Sequence, residues 1–172
     1  AEERERLDWL RDRHPVPRVL AFGADASSQW LVTAAIGVHG AVDPAALARP
    51  EAAVEALGTG LRRLHDALDP AECPFDWSTD RRRPPAIDRL VVCHGDPCAP
   101  NTVLDAGLRF AGHVDLGRLG VADRWADLAV AIMSLDWNYG PGWQDAFLAA
   151  YGIDPDPVRI DYYRRLWDAE ED

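Results

Sequence analysis

The stretch VVCHGDPCAPN, residues 91–101, decides how the rest of the sequence is interpreted. The apolar residues 90–92 are typical of a buried strand, and a histidine and a glycine end that run. Asp96 follows, and Asn101 stands five residues later. Asp and Asn often occur in turns, where they hydrogen-bond the nearby backbone. This pair therefore predicts either a stabilised turn or a site that uses side-chain oxygens.

A third oxygen-bearing side chain, Asp115, lies in the sequence VDLG. Residues 102–104 and 108–114 flank Asp-Ala-Gly and predict a hairpin with a glycine-containing turn. Because a hairpin returns the chain close to its origin, we expect Asp96, Asn101 and Asp115 to converge. Magnesium prefers carboxylate and amide oxygens, which suits Asn101 and Asp115. Asp96 would then be left to accept a proton from a hydroxyl group.

The order of these residues favours the functional interpretation over a simple turn. His-x-Asp followed by Asn at plus five, and then by Asp-x-Gly, is the order found in protein kinases. A zinc site at Cys93, His94 and Cys98 is a poor alternative, since their spacing matches no usual pair of zinc ligands.

Composition limits the classes of partner. The net charge is −11 over 172 residues, so neither nucleic acid nor an anionic membrane is an expected partner, whereas a cationic ligand would be attracted. The 18 basic residues are all arginine. Three cysteines without a CxxC pair favour a reducing compartment, and the acidic start AEERERLDWL does not resemble a signal peptide. We therefore expect a cytoplasmic location.

The periodicity of the sequence predicts a mixture of helices and strands. Helices are expected at residues 2–13, from Pro50, at 123–135, at 142–151, and from Asp156 onward. The helix that begins at Pro50 carries an apolar stripe of Val54, Leu57, Leu61, Leu64 and Leu68. A short apolar segment at 19–22 and a buried strand at 30–36 are expected near the start, and the arginines at 81–83 in a solvated loop.

From residue 90 to residue 135, the sequence LVVCHGDPCAPNTVL…GHVDLGRLGVADRWADLAVAIMSL resembles the aminoglycoside 3′-phosphotransferases. These are small-molecule kinases with a protein-kinase-like fold. The stretches LHDALDPAECPFD, DYYRRLWD and EERERLDWL…PVPRVLAFG extend the resemblance over nearly the whole chain. It implies a protein-kinase-like α+β fold, in which residues 1–36 are a remnant of the N-lobe and residues 37–172 form a mostly helical C-lobe.

The resemblance implies roles for the conserved-motif positions of the catalytic loop and hairpin. Asp96 would be the catalytic base, and Arg118 would lie beside the phosphate or the substrate. Asn101 and Asp115 would bind the Mg²⁺ that bridges the phosphates of ATP.

Five further residues receive supporting roles from the same resemblance. His94 would hold the catalytic loop, and Asp127 would brace it by hydrogen bonds. The backbone of Ala34 and Ile36 would meet the adenine edge in the hinge. Glu3 would be the helix-C acid that pairs with the nucleotide-gripping lysine.

The function implied is transfer of the γ-phosphate of ATP to a hydroxyl of a small, polycationic aminosugar, which confers antibiotic resistance. Three alternatives stay open: a kinase of the same fold acting on a neutral sugar or an amino alcohol, a pseudokinase-like binding module, and a metal-dependent phosphohydrolase. Against the phosphohydrolase, the sequence lacks the second cluster of metal ligands that such an enzyme would be expected to have.

Two departures from the family pattern bear on activity. The resemblance begins at helix C, so we expect a truncated chain without the glycine-rich loop and the lysine-bearing strand. We therefore expect these 172 residues alone to bind ATP poorly and to have negligible activity.

The second departure concerns the acceptor site. Residues 76–90 are an arginine-rich bridge where the family has an acid-rich segment, and Met133, Ser134 and Trp137 stand where relatives place substrate-facing acids. The remaining acidic candidates for binding a cation are Asp136, Asp168, Glu170, Glu171 and Asp172.

Overall fold

A computed structural model describes residues 2–77 and 86–169, in which helices surround small antiparallel sheets. The helices are α1 Glu2–Leu10, α2 Pro44–Leu47, α3 Pro50–Ala67, α4 Arg124–Tyr139, α5 Gln144–Tyr151 and α6 Pro157–Asp168. The strands are β1 Val19–Ala24, β2 Gln29–Thr33, β3 His39–Gly40, β4 Leu90–Cys93, β5 Thr102–Leu104, β6 Phe110–His113 and β7 Gly120–Asp123. The arginines at 81–83 and the acids Glu170, Glu171 and Asp172 lie outside the described residues.

Helix α3 forms one side of the core. Its predicted stripe is buried, with Leu64 fully enclosed, and Pro50 occupies the first turn, where its missing amide proton costs nothing. Helix α5 packs closely along it at Gly58, where a Cβ would lie 2.7 Å from the carbonyl oxygen of Phe147. Glycine therefore lets the two helix backbones approach one another.

Helix α4 runs through the centre of the domain and is buried along most of its length. The carboxylate of Asp123 caps its first turn by accepting a hydrogen bond from the amide of Trp125 at 3.2 Å. Helix α6 packs against α4, and Asp156 caps it through the amides of Val158 and Arg159, both at 3.1 Å. The two predicted helices are confirmed here, including the start of α6 at Asp156, although α4 continues to Tyr139.

The predicted hairpin is confirmed as strands β5 and β6, which pair Thr102 with His113 and Leu104 with Phe110. The residue with positive φ in its turn is Leu108 (φ 62°) and not the neighbouring glycine. Strand β3 joins the hairpin as a third strand, and β4 pairs with β7. These two pairings carry the catalytic loop and were not predicted.

Two sequence predictions about the start of the chain are wrong. The strand expected to be buried at 30–36 is β2, which ends at Thr33 and leaves Trp30 and Val32 about half exposed, at 52% and 46%. The reason is that β2 pairs only with β1 in a two-stranded ribbon, and alternate side chains face solvent. The helix expected at residues 2–13 is α1, which ends at Leu10 and is followed by a turn, since Pro15 disfavours a helical conformation of the preceding residue.

In the part of the chain that the structure describes, no helix is long and apolar enough to cross a lipid bilayer.

We predict that Leu64→Ala lowers the free energy of unfolding by about 2–5 kcal/mol, because the substitution leaves a cavity in a packed core. Urea denaturation monitored by circular dichroism measures this change. Leu47→Ala on α2 is the control, since Leu47 is 43% exposed and should change stability far less. Equal effects of the two substitutions would contradict the central place of α3.

Candidate active site

The loop of residues 94–101, here called the catalytic loop, joins β4 to β5 and lies against the segment of residues 115–119. Gly95 makes this contact with φ +87°, and a Cβ at this position would lie 2.3 Å from the carbonyl oxygen of Arg118. Only glycine allows that backbone conformation together with that approach. The amide of Asp96 points to Nδ1 of His94 at 3.3 Å.

Asn101 fixes the shape of the catalytic loop. Its side-chain Nδ2 donates to the carbonyl oxygen of Asp96 at 3.0 Å, which closes the five-residue spacing seen in the sequence. The main-chain carbonyl oxygen of Asn101 accepts a hydrogen bond from the amide of Val114 at 3.0 Å. That bond ties the start of the hairpin to the residue just before Asp115. Asp96, Asn101 and Asp115 are therefore brought together by two backbone-anchored hydrogen bonds.

Asp115 is held in an unusual backbone conformation, with φ +57°. An L-residue with a side chain pays roughly 1–2 kcal/mol to occupy this left-handed region. Such strain persists where the surroundings impose it and is found at functional sites. The side chain of Asp115 is exposed, while the Oδ1 atom of Asp96 is buried without a hydrogen-bond partner among the described residues.

Glu3 lies beside this segment, which places helix α1 at the site. Burial raises the pKa of Glu3, and the negative charge of Asp115 raises it further, whereas a hydrogen bond from the Leu116 backbone opposes the shift. A Cβ at Gly117 would lie 3.9 Å from the Cβ of Glu3. The negative charges of Glu3 and Asp115 repel one another, which favours a cation in their vicinity.

The catalytic loop rests on Asp127 from helix α4, which is completely buried. Its carboxylate accepts hydrogen bonds from two successive backbone amides, that of His94 at 2.6 Å and that of Gly95 at 3.0 Å. Charge-assisted bonds of this kind are short and strong. They fix the backbone immediately before Asp96.

Two residues that the sequence analysis missed complete this support. His65 of α3 shares its Nε2 with the Asp127 carboxylate at 2.9 Å, and its Nδ1 lies 2.8 Å from the hydroxyl of Tyr151 on α5. Burial raises the pKa of Tyr151 to about 12, so the phenol donates to His65, and the opposite ring nitrogen donates to Asp127. The sequence signal was a histidine one turn after Leu61, on the buried face of α3.

One ligand atom each from His65, Cys93 and Asp127 lies within 4.8 Å of the others, which raises the question of a metal. The carboxylate already accepts three hydrogen bonds, and the Cys93 thiol donates to the carbonyl of Asp123 at 3.6 Å. Burial raises the pKa of Cys93 well above its ordinary value and so disfavours the thiolate that a metal requires. The group is therefore a hydrogen-bond network.

Three buried histidine rings connect the catalytic loop to the start of the chain. His94 meets His113 edge to face, with centroids 5.2 Å apart, and His113 stacks on His14 at the same distance. A hydrogen bond of 3.0 Å joins Nε2 of His14 to Nδ1 of His113. Burial lowers the pKa of His14 to about 3, and that of His113 falls well below its ordinary value for the same reason.

The pKa of His94 is affected both by burial and by the acids around it. Burial lowers this pKa, while the carboxylates of Asp127, Asp96 and Asp115 act in the opposite direction. The histidine of the motif is thus a neutral ring enclosed by the acids of the site.

Ala34 and Ile36, the predicted hinge residues, lie at the end of the β1–β2 ribbon. The amide of Ala34 donates to the carbonyl of Arg18 at 2.9 Å. The side chain of Ile36 packs on Gly112 of β6, since a Cβ added to Gly112 would lie 2.7 Å from Cδ1 of Ile36. The carbonyl of Ala34 and the amide of Ile36 make no backbone hydrogen bond within residues 2–77 and 86–169.

Arg118 has an exposed side chain, and its guanidinium carbon lies 5.0 Å from the centroid of the Trp167 ring. This contact brings the last helix to the site, and the sequence analysis did not predict it. Of the acidic candidates on described residues, Asp136 pairs with Arg164 at 3.3 Å, and Asp168 is exposed at the end of α6.

The sequence matches the profile of the phosphotransferase enzyme family over residues 1–90 and 80–163. It is 35% identical over 208 residues to an aminoglycoside 3′-phosphotransferase of Streptomyces fradiae, covering 95% of this chain and 77% of that protein. The structure of an aminoglycoside-3′-phosphotransferase of type VIII superposes with a TM-score of 0.79 at 32% identity, covering 97% of this chain and 78% of the other. An aminoglycoside phosphotransferase of Streptomyces rimosus, solved with ADP and streptomycin, gives 0.76 at 30% identity, with coverages of 96% and 79%.

We predict that Asp127→Asn destabilises the protein by about 1.5–3 kcal/mol, because an amide has one acceptor oxygen where the carboxylate serves three donors. Thermal and urea unfolding measure this loss. Asp12→Asn on an exposed residue is the matched control and should leave stability unchanged. A mutant as stable as the parent would show that the catalytic loop does not depend on this carboxylate.

The buried histidines predict a loss of stability in mild acid. The folded pKa of His14 lies at about 3, below its unfolded value, so between these two values the unfolded state binds more protons and the free energy of unfolding falls as pH falls. The slope for one such histidine approaches about 1.4 kcal/mol per pH unit. Urea unfolding at pH 7.5, 6.0 and 5.0 measures it, and His14→Phe should flatten the dependence. An unchanged slope in that variant would contradict the assignment.

Proposed function

This chain belongs to the phosphotransferase enzyme family, and we propose that it moves the γ-phosphate of ATP to a hydroxyl of an aminoglycoside-type aminosugar, a reaction that gives antibiotic resistance. One observation carries the proposal. The carboxylate oxygen Oδ1 of Asp96, which has no hydrogen-bond partner in the described part of the chain, stands on a loop whose shape is closed by Asn101 and anchored to the residue preceding Asp115. A structural turn does not require this convergence of three oxygen-bearing side chains.

Asp96 is proposed as the base. Its carboxylate would take the proton of the acceptor hydroxyl as that oxygen bonds to the γ-phosphorus, while the bond from phosphorus to the β–γ bridging oxygen breaks and ADP leaves. The amides of His94 and Gly95, bound to Asp127, keep the backbone before Asp96 in place. Such positioning supplies a large part of the rate in phosphoryl transfer.

The residues present fit a magnesium ion. Nδ2 of Asn101 is engaged with the Asp96 carbonyl, so its Oδ1 is the atom available to a ligand, and Asp115 contributes a carboxylate held at φ +57°. One amide oxygen and one carboxylate are the donor set that Mg²⁺ takes when water and phosphate oxygens complete its shell. When bound, the ion would neutralise charge on the phosphates of ATP.

The nucleotide would lie between the hinge and these residues. Among residues 2–77 and 86–169, the carbonyl of Ala34 and the amide of Ile36 have no backbone hydrogen-bond partner, and they are the acceptor and the donor that an adenine edge requires. We propose a lobe boundary after residue 36, because β3, which follows, already belongs to the sheet of the β5–β6 hairpin. Glu3 stays the proposed partner of a nucleotide-gripping cation, a role supported by its position beside Asp115.

The proposed acceptor is cationic, and the net charge of −11 supports this choice. Arg118 is proposed to lie at the phosphate or acceptor side of the site. A cytoplasmic location is proposed from the sequence alone, because three cysteines without a CxxC pair favour a reducing compartment.

The test is phosphate transfer from labelled ATP to streptomycin and to aminoglycosides with and without a 3′-hydroxyl. Because the sequence contains no lysine, the assay uses the 172-residue chain and a fusion in which a relative supplies the glycine-rich loop and the lysine strand. We expect transfer to a 3′-hydroxyl in the fusion, and none to the 3′-deoxy analogue. Binding of the aminoglycoside without transfer in either form would favour a non-catalytic module instead.

We predict that Asp96→Asn lowers kcat by about 10²–10⁴-fold while the KM for ATP changes little, because the base acts chiefly in the transition state. Steady-state kinetics of the active form measure both constants. Asp154→Asn, on an exposed residue, is the control. Near-normal turnover of the Asp96 variant would show that another group removes the proton.

A further inference from the structure

Contacts made by the residues on both sides of Asp96 lead to the last helix. Gly95, immediately before Asp96, touches the backbone of Arg118. The Arg118 guanidinium lies over the indole of Trp167, 5.0 Å from the ring centroid. Two residues after Asp96, Cys98 packs against the apolar cluster that contains Trp167. We call these four residues, Gly95, Arg118, Trp167 and Cys98, the Asp96 contact group.

Trp167 is the member that joins the two halves of the Asp96 contact group. It is 7% exposed and packs with Val130 and Met133 of α4, so helix α4 fixes the plane of the indole. One face of the indole meets the guanidinium of Arg118, a favourable arrangement for a cation over an aromatic ring. A long arginine side chain samples many rotamers when exposed, and stacking restricts it to a few.

A tryptophan is not needed here merely to fill space. Its Nε1 is buried without a hydrogen-bond partner among the described residues, which is a cost that an aliphatic side chain would avoid. The indole contributes a flat aromatic face that leucine lacks. The contact with Arg118 uses that face.

We infer that Trp167 is a positioning residue for phosphoryl transfer, which holds Arg118 and the Cys98 side of the catalytic loop in a fixed relation to Asp96. The inference rests on the proposed function for its catalytic consequence. The contact itself can be tested without any turnover.

The first test is hydrogen–deuterium exchange of the catalytic loop and of residues 115–119, measured on the 172-residue chain. In Trp167→Leu, these amides should exchange about tenfold faster or more, since the aromatic face is lost. Trp167→Phe, which keeps an aromatic face, should stay close to the parent, as should Trp143→Leu, a tryptophan substitution elsewhere on the core. An unchanged rate in Trp167→Leu would overturn the inference, and so would equal acceleration by leucine and phenylalanine.

The second test is a double-mutant cycle in the form of the enzyme that shows activity. Trp167→Leu and Arg118→Ala should each lower kcat by about 10- to 100-fold with little change in the KM for ATP, as expected for misplaced groups. The double variant should be no slower than the worse single variant, because both substitutions break one contact. Fully additive losses would overturn the inference.

The two tests separate this inference from the proposed function. If the unsubstituted enzyme transfers no phosphate to any acceptor, the proposed function fails, and the exchange rates still decide whether Trp167 orders the loop. If the enzyme is active and Trp167→Leu has the parent kcat, the positioning role alone fails.

Discussion

The rest of the site depends on one buried carboxylate, that of Asp127. Its two oxygens satisfy three donors that would otherwise be stranded in the core, two of them consecutive amides of the catalytic loop. Since His65 comes from α3 and its partner Tyr151 from α5, the carboxylate links α3, α4 and α5 to a single stretch of backbone. The placement of Asp96 is therefore a property of helix packing and not of the loop alone.

The opposite side of the loop is held differently. There, apolar contact adds to hydrogen bonding: the Trp167 cluster covers Cys98, and the amide of Ala99 donates to Oγ of Ser134 on α4 at 2.8 Å. Hydrogen bonds to a buried charge fix the backbone, and close apolar packing excludes water and holds the neighbouring side chains. A base that must meet an incoming hydroxyl gains from both, because both ends of its loop keep their geometry.

The sequence predicted those parts of the structure that depend on near neighbours. The stripe of α3, the start of α6 at Asp156 and the hairpin follow from residues a few positions apart, and they were correct. The exposure of β2 was missed, since it depends on how many strands cover the ribbon. His65, Tyr151 and Trp167 were missed because each acts through a partner at least 49 positions away in the chain. Kinase-like spacing singled out Asp96, Asn101 and Asp115 as candidates, whereas the residues that support them became visible only in three dimensions.

The base and the tip of the β5–β6 hairpin are held by different hydrogen bonds. At its base, the bond from Val114 to the Asn101 carbonyl fixes the register of both proposed metal ligands. At its tip, Asp105 holds a turn through the amides of Gly107 and Arg109, and these bonds are local and exposed. The same turn carries Leu108, which is 3% exposed and packs into the core, so a change of length at the tip has to keep this anchor, whereas the exposed Ala106 is a natural place for attaching a probe.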